Sequence, residues 1–376
     1  MQQFNLIATC GAGIEALVAS ELKELGYETQ TENGRVRFKG TAYDIARTNL
    51  WLRTADRIKI VIGEFKVMSF EELFDKTYEL PWESLLTMDA QFPVAGRSIQ
   101  SKLHSVPNVQ RIVKKAIAQK MMDFYHRRAN LPESGAVYPI EVVIRKNKVM
   151  LIVDTSGESL FKRGYRVDKG GAPLKENMAA ALIKLTTWYP DRPLYDPTCG
   201  SGTILIEAAL MGQNIAPGFN REFAAEHWLM LPQEVWQQVR DEAEQEANYD
   251  VELDLFGTDI DQNMIEIAKA NALEAGVLHN IEFKQMNLAD YKPTKEHGIL
   301  IANPPYGDRL LDKEKAHELY QKMGEIYREM PTWSKYILTS DDHFEEYYGQ
   351  KATRKRKLYN GPIRTTYYQY WANKGR

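Results

Sequence analysis

Hydrophobic and polar positions alternate along the chain with two periods, and the switches between them outline its elements. Residues 4–10 read as a strand, and Ile14, Leu17, Val18, Leu22 and Leu25 mark one face of a helix that Gly26 closes. Asn33-Gly34 predicts a hairpin turn into a strand over 36–38, because this dipeptide readily takes the positive φ of a tight turn. Thr41 stands as the cap of a helix through Leu50, and Ser69 as the cap of a helix stopped by Pro81, with a strand over 57–67 between them. The pattern then repeats: a strand over 92–99, a helix from Pro107 to about Arg128, and a hairpin of 140–145 with 149–154 across Lys146-Asn147-Lys148. Short elements in this order predict small α+β units of ferredoxin-like character, over 1–65 and 66–160.

A glycine-rich, basic stretch follows, and a linker is expected at 161–172. Beyond it the pattern changes to strands at 193–195, 253–258, 281–285, 299–302 and 335–339, alternating with helices at 203–211, 262–275 and 313–330. A helix over 177–187 precedes them, and 212–252 reads as a helical insertion. Two last strands, 354–359 and 365–371, flank the turn Asn360-Gly361-Pro362. This is an α/β pattern: a doubly wound parallel sheet over 173–376, closed by an antiparallel hairpin, with its ligand at the carboxyl ends of the strands.

The composition, 44% hydrophobic and 26% charged over 376 residues, suits a globular chain of two or three packed units. No apolar run approaches the ~20 residues that span a bilayer, and the N-terminus has no signal-like pattern. The two cysteines, Cys10 and Cys199, are too few for a disulfide framework or a cysteine-based zinc site. A cytoplasmic protein with no membrane contact, no metal and no obligate protein partner is expected. The net charge of −3 conceals an uneven distribution: −4 over residues 1–96, +9 over 97–170, −16 over 171–350 and +8 over 351–376. A polyanion would be repelled by the acidic block and drawn to the two basic ones. Arg111, Lys114 and Lys115 lie outside the apolar stripe of their helix, Lys146 and Lys148 sit at the hairpin turn, and Arg163 and Arg166 follow. These seven are the expected phosphate contacts.

Three motifs carry chemistry. Asp196-Pro197-Thr198-Cys199-Gly200-Ser201-Gly202-Thr203 follows a strand and opens a helix, where two near-adjacent glycines let the backbone turn sharply and approach a ligand. Leu205 stands where a dinucleotide fingerprint needs its third glycine, no phosphate-loop lysine follows, and the Asp196 carboxylate favours a ligand bearing a cationic amine. Asp259 ends the next strand, where an acid accepts hydrogen bonds from ribose hydroxyls, while Asp261 suits the N-cap of the following helix. Asn303-Pro304-Pro305-Tyr306 ends another strand. Its two prolines fix a rigid turn presenting the Asn303 amide, the Pro304 carbonyl and the Tyr306 ring together. Such a turn suits a planar exocyclic amine held by two acceptors, with the ring stacked on its base.

Taken together these residues resemble the class I S-adenosylmethionine-dependent amino-group methyltransferases, over about 171–376. Ala172-Pro173-Leu174-Lys175-Glu176-Asn177, Asn303 through Leu310 and Leu358-Tyr359-Asn360-Gly361 resemble more narrowly the bacterial 23S rRNA guanine-N2-methyltransferases that carry an N-terminal THUMP domain. The resemblance implies a Rossmann-like catalytic sheet, a THUMP RNA-binding domain over 66–160 and S-adenosylmethionine as cofactor. It implies that Asp196, Gly200 and Gly202 cradle the methionine part, within a loop that includes Thr198, Cys199 and Thr203. Asp259 would bind ribose, with Ile260 and Asn287 flanking adenine; Asn287 departs from the acid common there. Asn303, Pro304, Pro305 and Tyr306 would form the acceptor site, with Asn303 also beside the cofactor, and the seven cations would meet RNA. A tRNA guanine, adenine N6 in DNA and a protein glutamine remain alternative acceptors, and a non-enzymatic RNA-binding relic is the alternative outside enzymes.

Overall fold

The computed structural model describes residues 2–167, 174–306 and 310–372, with the backbone alone at 310–312. The end of the expected linker and the motif residues Ala172, Pro173, Gly307, Asp308 and Arg309 lie outside these residues. The chain divides into two units that are not contiguous in sequence: Arg221–Glu242 belongs with the N-terminal unit, and Gly11–Leu17 with the C-terminal one.

The N-terminal elements are β1 (Phe4–Thr9), α1 (Glu15–Glu24), β2 (Gln30–Glu32), β3 (Arg35–Gly40), α2 (Ala42–Trp51), β4 (Arg57–Lys66), α3 (Phe70–Tyr78), β5 (Val94–Ile99), α4 (Val106–Phe124), β6 (Ile140–Arg145) and β7 (Lys148–Asp154). The caps act as their residue types require. The Ser69 hydroxyl accepts the Glu72 N–H at 3.2 Å, and the Asp44 carboxylate accepts the Thr41 N–H at 2.6 Å. The two expected α+β regions share one seven-stranded sheet, ordered β2-β3-β1-β4-β7-β6-β5. Long β4 joins them, pairing with β1 on one side and β7 on the other.

The remaining elements are α5 (Glu176–Lys184), β8 (Leu194–Asp196), α6 (Thr203–Gly212), α7 (Gln233–Glu246), β9 (Leu255–Asp259), α8 (Gln262–Glu274), β10 (Ile281–Gln285), β11 (Ile299–Ala302), α9 (Leu310–Arg328), β12 (Ser334–Thr339), α10 (Phe344–Tyr348), β13 (Arg354–Asn360) and β14 (Ile363–Tyr370). The second sheet is ordered β10-β9-β8-β11-β12-β14-β13, parallel from β10 to β12 and antiparallel at the closing hairpin. It is the doubly wound arrangement expected. Leu300, Ala302, Tyr320, Met323 and Ile337 form part of the core that fixes α9 against the carboxyl ends of β11 and β12. The stretch 212–252, expected as a helical insertion, carries one α-helix, α7, and a short 3-10 turn at Ala224–His227 among irregular segments, and much of it serves the N-terminal unit. The Trp228 ring stacks on Tyr138 at 4.6 Å, and its indole N–H donates to the Val137 carbonyl at 2.9 Å. Burying an indole whose N–H finds a partner is a strong reason for that segment to fold there.

Candidate active site

The glycine loop begins where β8 ends. Asp196 lies against Gly257 of β9, and the turn is held by the Cys199 N–H on the Thr258 carbonyl at 2.9 Å and the Gly202 N–H on the Cys199 carbonyl at 2.8 Å. Gly200 (φ 50°) and Gly202 (φ 81°) both adopt the left-handed conformation, which glycine takes without a Cβ penalty. A Cβ on Gly202 would lie 3.0 Å from Ala268 and the Phe283 ring, whereas one on Gly200 would meet nothing within 4 Å. Gly202 therefore lets the loop sit close on the fold, and Gly200 leaves its outer side open.

That open side faces a cavity of about 470 Å³ lined by Thr198, Gly200, Asp259, Ile260, Asn287, Asn303 and Pro305, among others. A space of this size matches small-molecule sites in general. The Asp259 carboxylate accepts the Gly200 N–H and the Asp261 N–H, each at 3.0 Å, so the acid also ties the loop to β9. Asp261 caps α8, its carboxylate accepting the Asn263 N–H at 2.9 Å. The Asn287 amide oxygen accepts the Ala289 N–H at 3.0 Å. The Thr198 hydroxyl oxygen is buried with no partner among the described residues, an orphan that a polar ligand would satisfy.

Asp196, Cys199, Gly202 and Thr203 shape the loop without lining the cavity. Asp196 is 2% exposed and accepts the Thr198 N–H at 3.1 Å; burial, with a smaller contribution from Asp259, pushes its carboxyl up to about 8. Burial likewise raises the Cys199 thiol.

At the end of β11, Asn303 and Pro305 face the cavity and Pro304 is buried. The Tyr306 hydroxyl donates to the Asn303 amide oxygen at 2.5 Å, and burial raises its pKa. The oxygen expected to hold an acceptor amine is thus occupied by Tyr306 in this state. The Pro305 carbonyl accepts the Tyr320 hydroxyl at 3.3 Å, fixing the turn from α9.

Sequence reasoning missed one wall and misassigned two arginines. Lys315, Glu318, Leu319 and Lys322 of α9 line the cavity at the spacing of one helix face, a periodicity that could have flagged them. Arg163 and Arg166, expected to meet phosphates, are instead bound to buried carboxylates. Arg163 lies 3.2 Å from Glu207, both essentially solvent-free, and Tyr165 donates to the same carboxylate at 3.1 Å. Arg166 donates to Glu176 at 2.9 Å, to Ser201 and Thr203 hydroxyls at 3.1 Å each, and to the Leu174 carbonyl at 3.3 Å. Asn271 completes this brace, accepting the Val167 N–H at 2.9 Å and donating to the Ser201 carbonyl at 3.1 Å. Arg111, Lys114, Lys115, Lys146 and Lys148 all lie in the N-terminal unit. Among the described residues no cluster of three or more His, Cys, Asp or Glu could hold a metal, and no helix is long and apolar enough to cross a membrane.

Three family models match the chain: the RlmL ferredoxin-like domain at 5–59, the THUMP domain at 67–154 and the RMKL-like methyltransferase domain at 163–369. The chain is 52% identical to "Putative RNA methyltransferase YpsC" of Bacillus subtilis (strain 168), over 99% of this chain and 97% of that one. It is 34% identical to "Ribosomal RNA large subunit methyltransferase K/L" of Shewanella baltica (strain OS195), covering 97% of this chain but only 53% of that longer protein. Among solved structures, one described as a "predicted N6-adenine-specific DNA methylase" from Listeria monocytogenes matches with TM-score 0.96 and 56% identity over 99% of this chain and 97% of that one. Another, SMU.472, "a putative methyltransferase complexed with SAH", matches with TM-score 0.96 and 51% identity over all of both chains.

Proposed function

The chain belongs to the RMKL-like methyltransferase family with ferredoxin-like and THUMP domains, and from that premise we propose that it transfers a methyl group to the exocyclic N2 amine of a guanine in RNA, in 23S rRNA. S-adenosylmethionine is the cofactor; when bound it supplies an electrophilic methyl group on a sulfonium. The carrying observation is that Asp259, Gly200 and Asn303 open onto one cavity, so the carboxylate assigned here to ribose and the amide assigned here to the acceptor amine face the same space. The Thr198 hydroxyl and the Asp259 carboxylate suit the polar parts of such a cofactor, and Ile260, Met264, Met286 and Leu288 suit its adenine.

In this reading the Asn303 oxygen and the carbonyl of Pro304, a buried residue that does not line the cavity, take the two hydrogens of the guanine amine once the turn rearranges, the Tyr306 hydroxyl leaving Asn303 and its ring becoming free to stack on the base. Held so, the nitrogen lone pair is drawn from conjugation, and the two carbonyls stabilise the positive charge that develops on nitrogen. The proton then leaves the cationic nitrogen to water. The RNA partner is held by the N-terminal unit. The description of the Listeria protein favours a second reading, adenine N6 in DNA, which carries the same turn chemistry. The test is competitive labelling: the purified chain, with methyl-labelled cofactor, is given protein-free rRNA, tRNA and duplex DNA in equal mass. Label entering rRNA supports the proposal, and label entering duplex DNA alone refutes it.

A further inference from the structure

A second, larger cavity, about 1030 Å³, lies on the N-terminal sheet, away from the helix that the sequence marks as basic. The faces of the sheet can be told apart. A Cβ on Gly96 would lie 2.8 Å from Gln110 and 3.3 Å from Val106, so α4 covers that side of β5, and Arg97 and Ile99 point to the other. Register carries this second face across the sheet: Ile99 stands opposite Arg145, Arg145 opposite Lys148, and Lys148 opposite Lys66. Three cations therefore stand side by side on three adjacent strands, with neighbouring Cβ atoms roughly 5 Å apart.

Like charges directly opposite each other destabilise a sheet. Arg35 and Arg37 in the same cavity are paired with Glu32 and Glu64, at 2.5 to 2.7 Å. Lys66, Arg97, Arg145, Lys146 and Lys148 meet no carboxylate within 4 Å among the described residues. Lys146 also holds φ at 50°, a left-handed conformation in which a hairpin turn favours asparagine or glycine. The turn is rigid nonetheless. The Asn147 amide oxygen accepts from the Ser101 hydroxyl at 3.0 Å and the Lys102 N–H at 2.8 Å, and the Asn147 carbonyl accepts the Val67 N–H at 3.0 Å. On α4, Lys114 is paired with Glu133 at 2.7 Å and Lys120 lies 3.8 Å from Glu83, while Arg111 bonds only the Asn108 amide oxygen at 3.2 Å and Lys115 lies over the Phe74 ring at 5.9 Å, so two of its four cations are matched by a carboxylate.

We propose that the RNA phosphate backbone docks on this open sheet face, anchored by the row Lys66, Lys148 and Arg145 with Lys146 and Arg97 beside it, and not on α4. Uncompensated, closely spaced cations on a rigid platform gain most from a polyanion, whose condensed counterions they displace. The inference rests on the RNA reading above and adds the surface that serves it.

The test compares the full chain with its Lys66→Gln/Arg145→Gln/Lys148→Gln variant and with the rival Arg111→Gln/Lys115→Gln variant, in filter binding to transcribed 23S rRNA at about 50 to 200 mM KCl. In the triple variant the slope of log K against log salt falls by about 2, which at 0.1 M salt is roughly a hundredfold weaker binding. Its melting temperature stays equal or rises, since repulsion has been removed. The α4 variant keeps the wild-type slope. Unchanged binding by the triple variant, or loss of the slope in the α4 variant, overturns the placement while leaving an observed RNA methylation standing. Conversely, a triple variant that loses binding supports the placement even where wild-type protein puts no label into that RNA, a result that counts against the methylation reading alone.

Discussion

Arg166 offers the most decomposable perturbation, because it joins a buried charge pair to the glycine loop. Its side chain is 12% exposed and that of Glu176 is 6% exposed. Arg166→Ala strands the Glu176 carboxylate, and breaking a buried pair in this way costs about 3–5 kcal/mol. Burial already holds the Glu176 carboxyl above the usual range, with Arg166 the main influence opposing it. Without the guanidinium it rises further, so the folded variant takes up a proton that the unfolded chain would release. Stability from such a group is present at low pH and lost as pH rises through the folded-state pKa. The gap in melting temperature between wild type and variant should therefore widen as pH rises from the ordinary carboxylate range upward. Adding Glu176→Gln removes the stranded charge, recovers most of the stability and flattens the pH dependence. Affinity for S-adenosylhomocysteine should not recover, because the bonds to Ser201 and Thr203 are still missing. Hydrogen bonds from a charged donor contribute about 1.5–3 kcal/mol each, and if half of one is felt by the ligand through loop order, the dissociation constant rises about 3- to 12-fold. Thermal melts across pH and calorimetry on the double variant test both halves. A double variant that binds S-adenosylhomocysteine as wild type does would show that the brace serves stability alone.

Asp259→Ala should weaken S-adenosylhomocysteine binding by about 1.5–3 kcal/mol in a folded protein, measured by calorimetry; unchanged affinity would move the ribose contact elsewhere. Asn303→Ala should slow single-turnover methyl transfer about 10²–10³-fold with cofactor affinity near wild type, and a near-normal rate would remove this turn from the acceptor site. Asp196 has its carboxyl pushed up to about 8 from 3.8 by burial, so its stabilising contribution is present below the lower value and lost as pH rises through the upper one. Asp196→Asn should accordingly raise the melting temperature more at about pH 9 than at about pH 6; an equal shift at both would place the ionisation elsewhere.

Much of the fold was legible because its signals are local. The Asn33-Gly34 turn, the Ser69 cap and the hairpin of β6 and β7 each rest on residues near in sequence. The glycine loop and the Asn303–Tyr306 turn were legible for the same reason, and Asp259 because strand ends in such sheets carry ligands. The unread features depend on distant pairs. β4 reaches β7 through pairs such as Lys59 with Asp154, and Trp228 finds Tyr138 only after folding. The misassigned arginines were counted as surface charge, yet a signal existed. Glu207 stands alone in the apolar run of α6, and Glu176 opens an apolar α5; a carboxylate buried in such a helix needs a cation. Arg163 and Arg166 are those cations.

The most direct measurement is the identity of the methylated nucleoside. Transcribed 23S rRNA incubated with the purified chain and isotope-labelled S-adenosylmethionine is digested to nucleosides and analysed by mass spectrometry. The proposed chemistry yields label in N2-methylguanosine, lost with Asn303→Ala. Label in N6-methyladenosine or in a ring-carbon position, with guanosine unmodified, would contradict it.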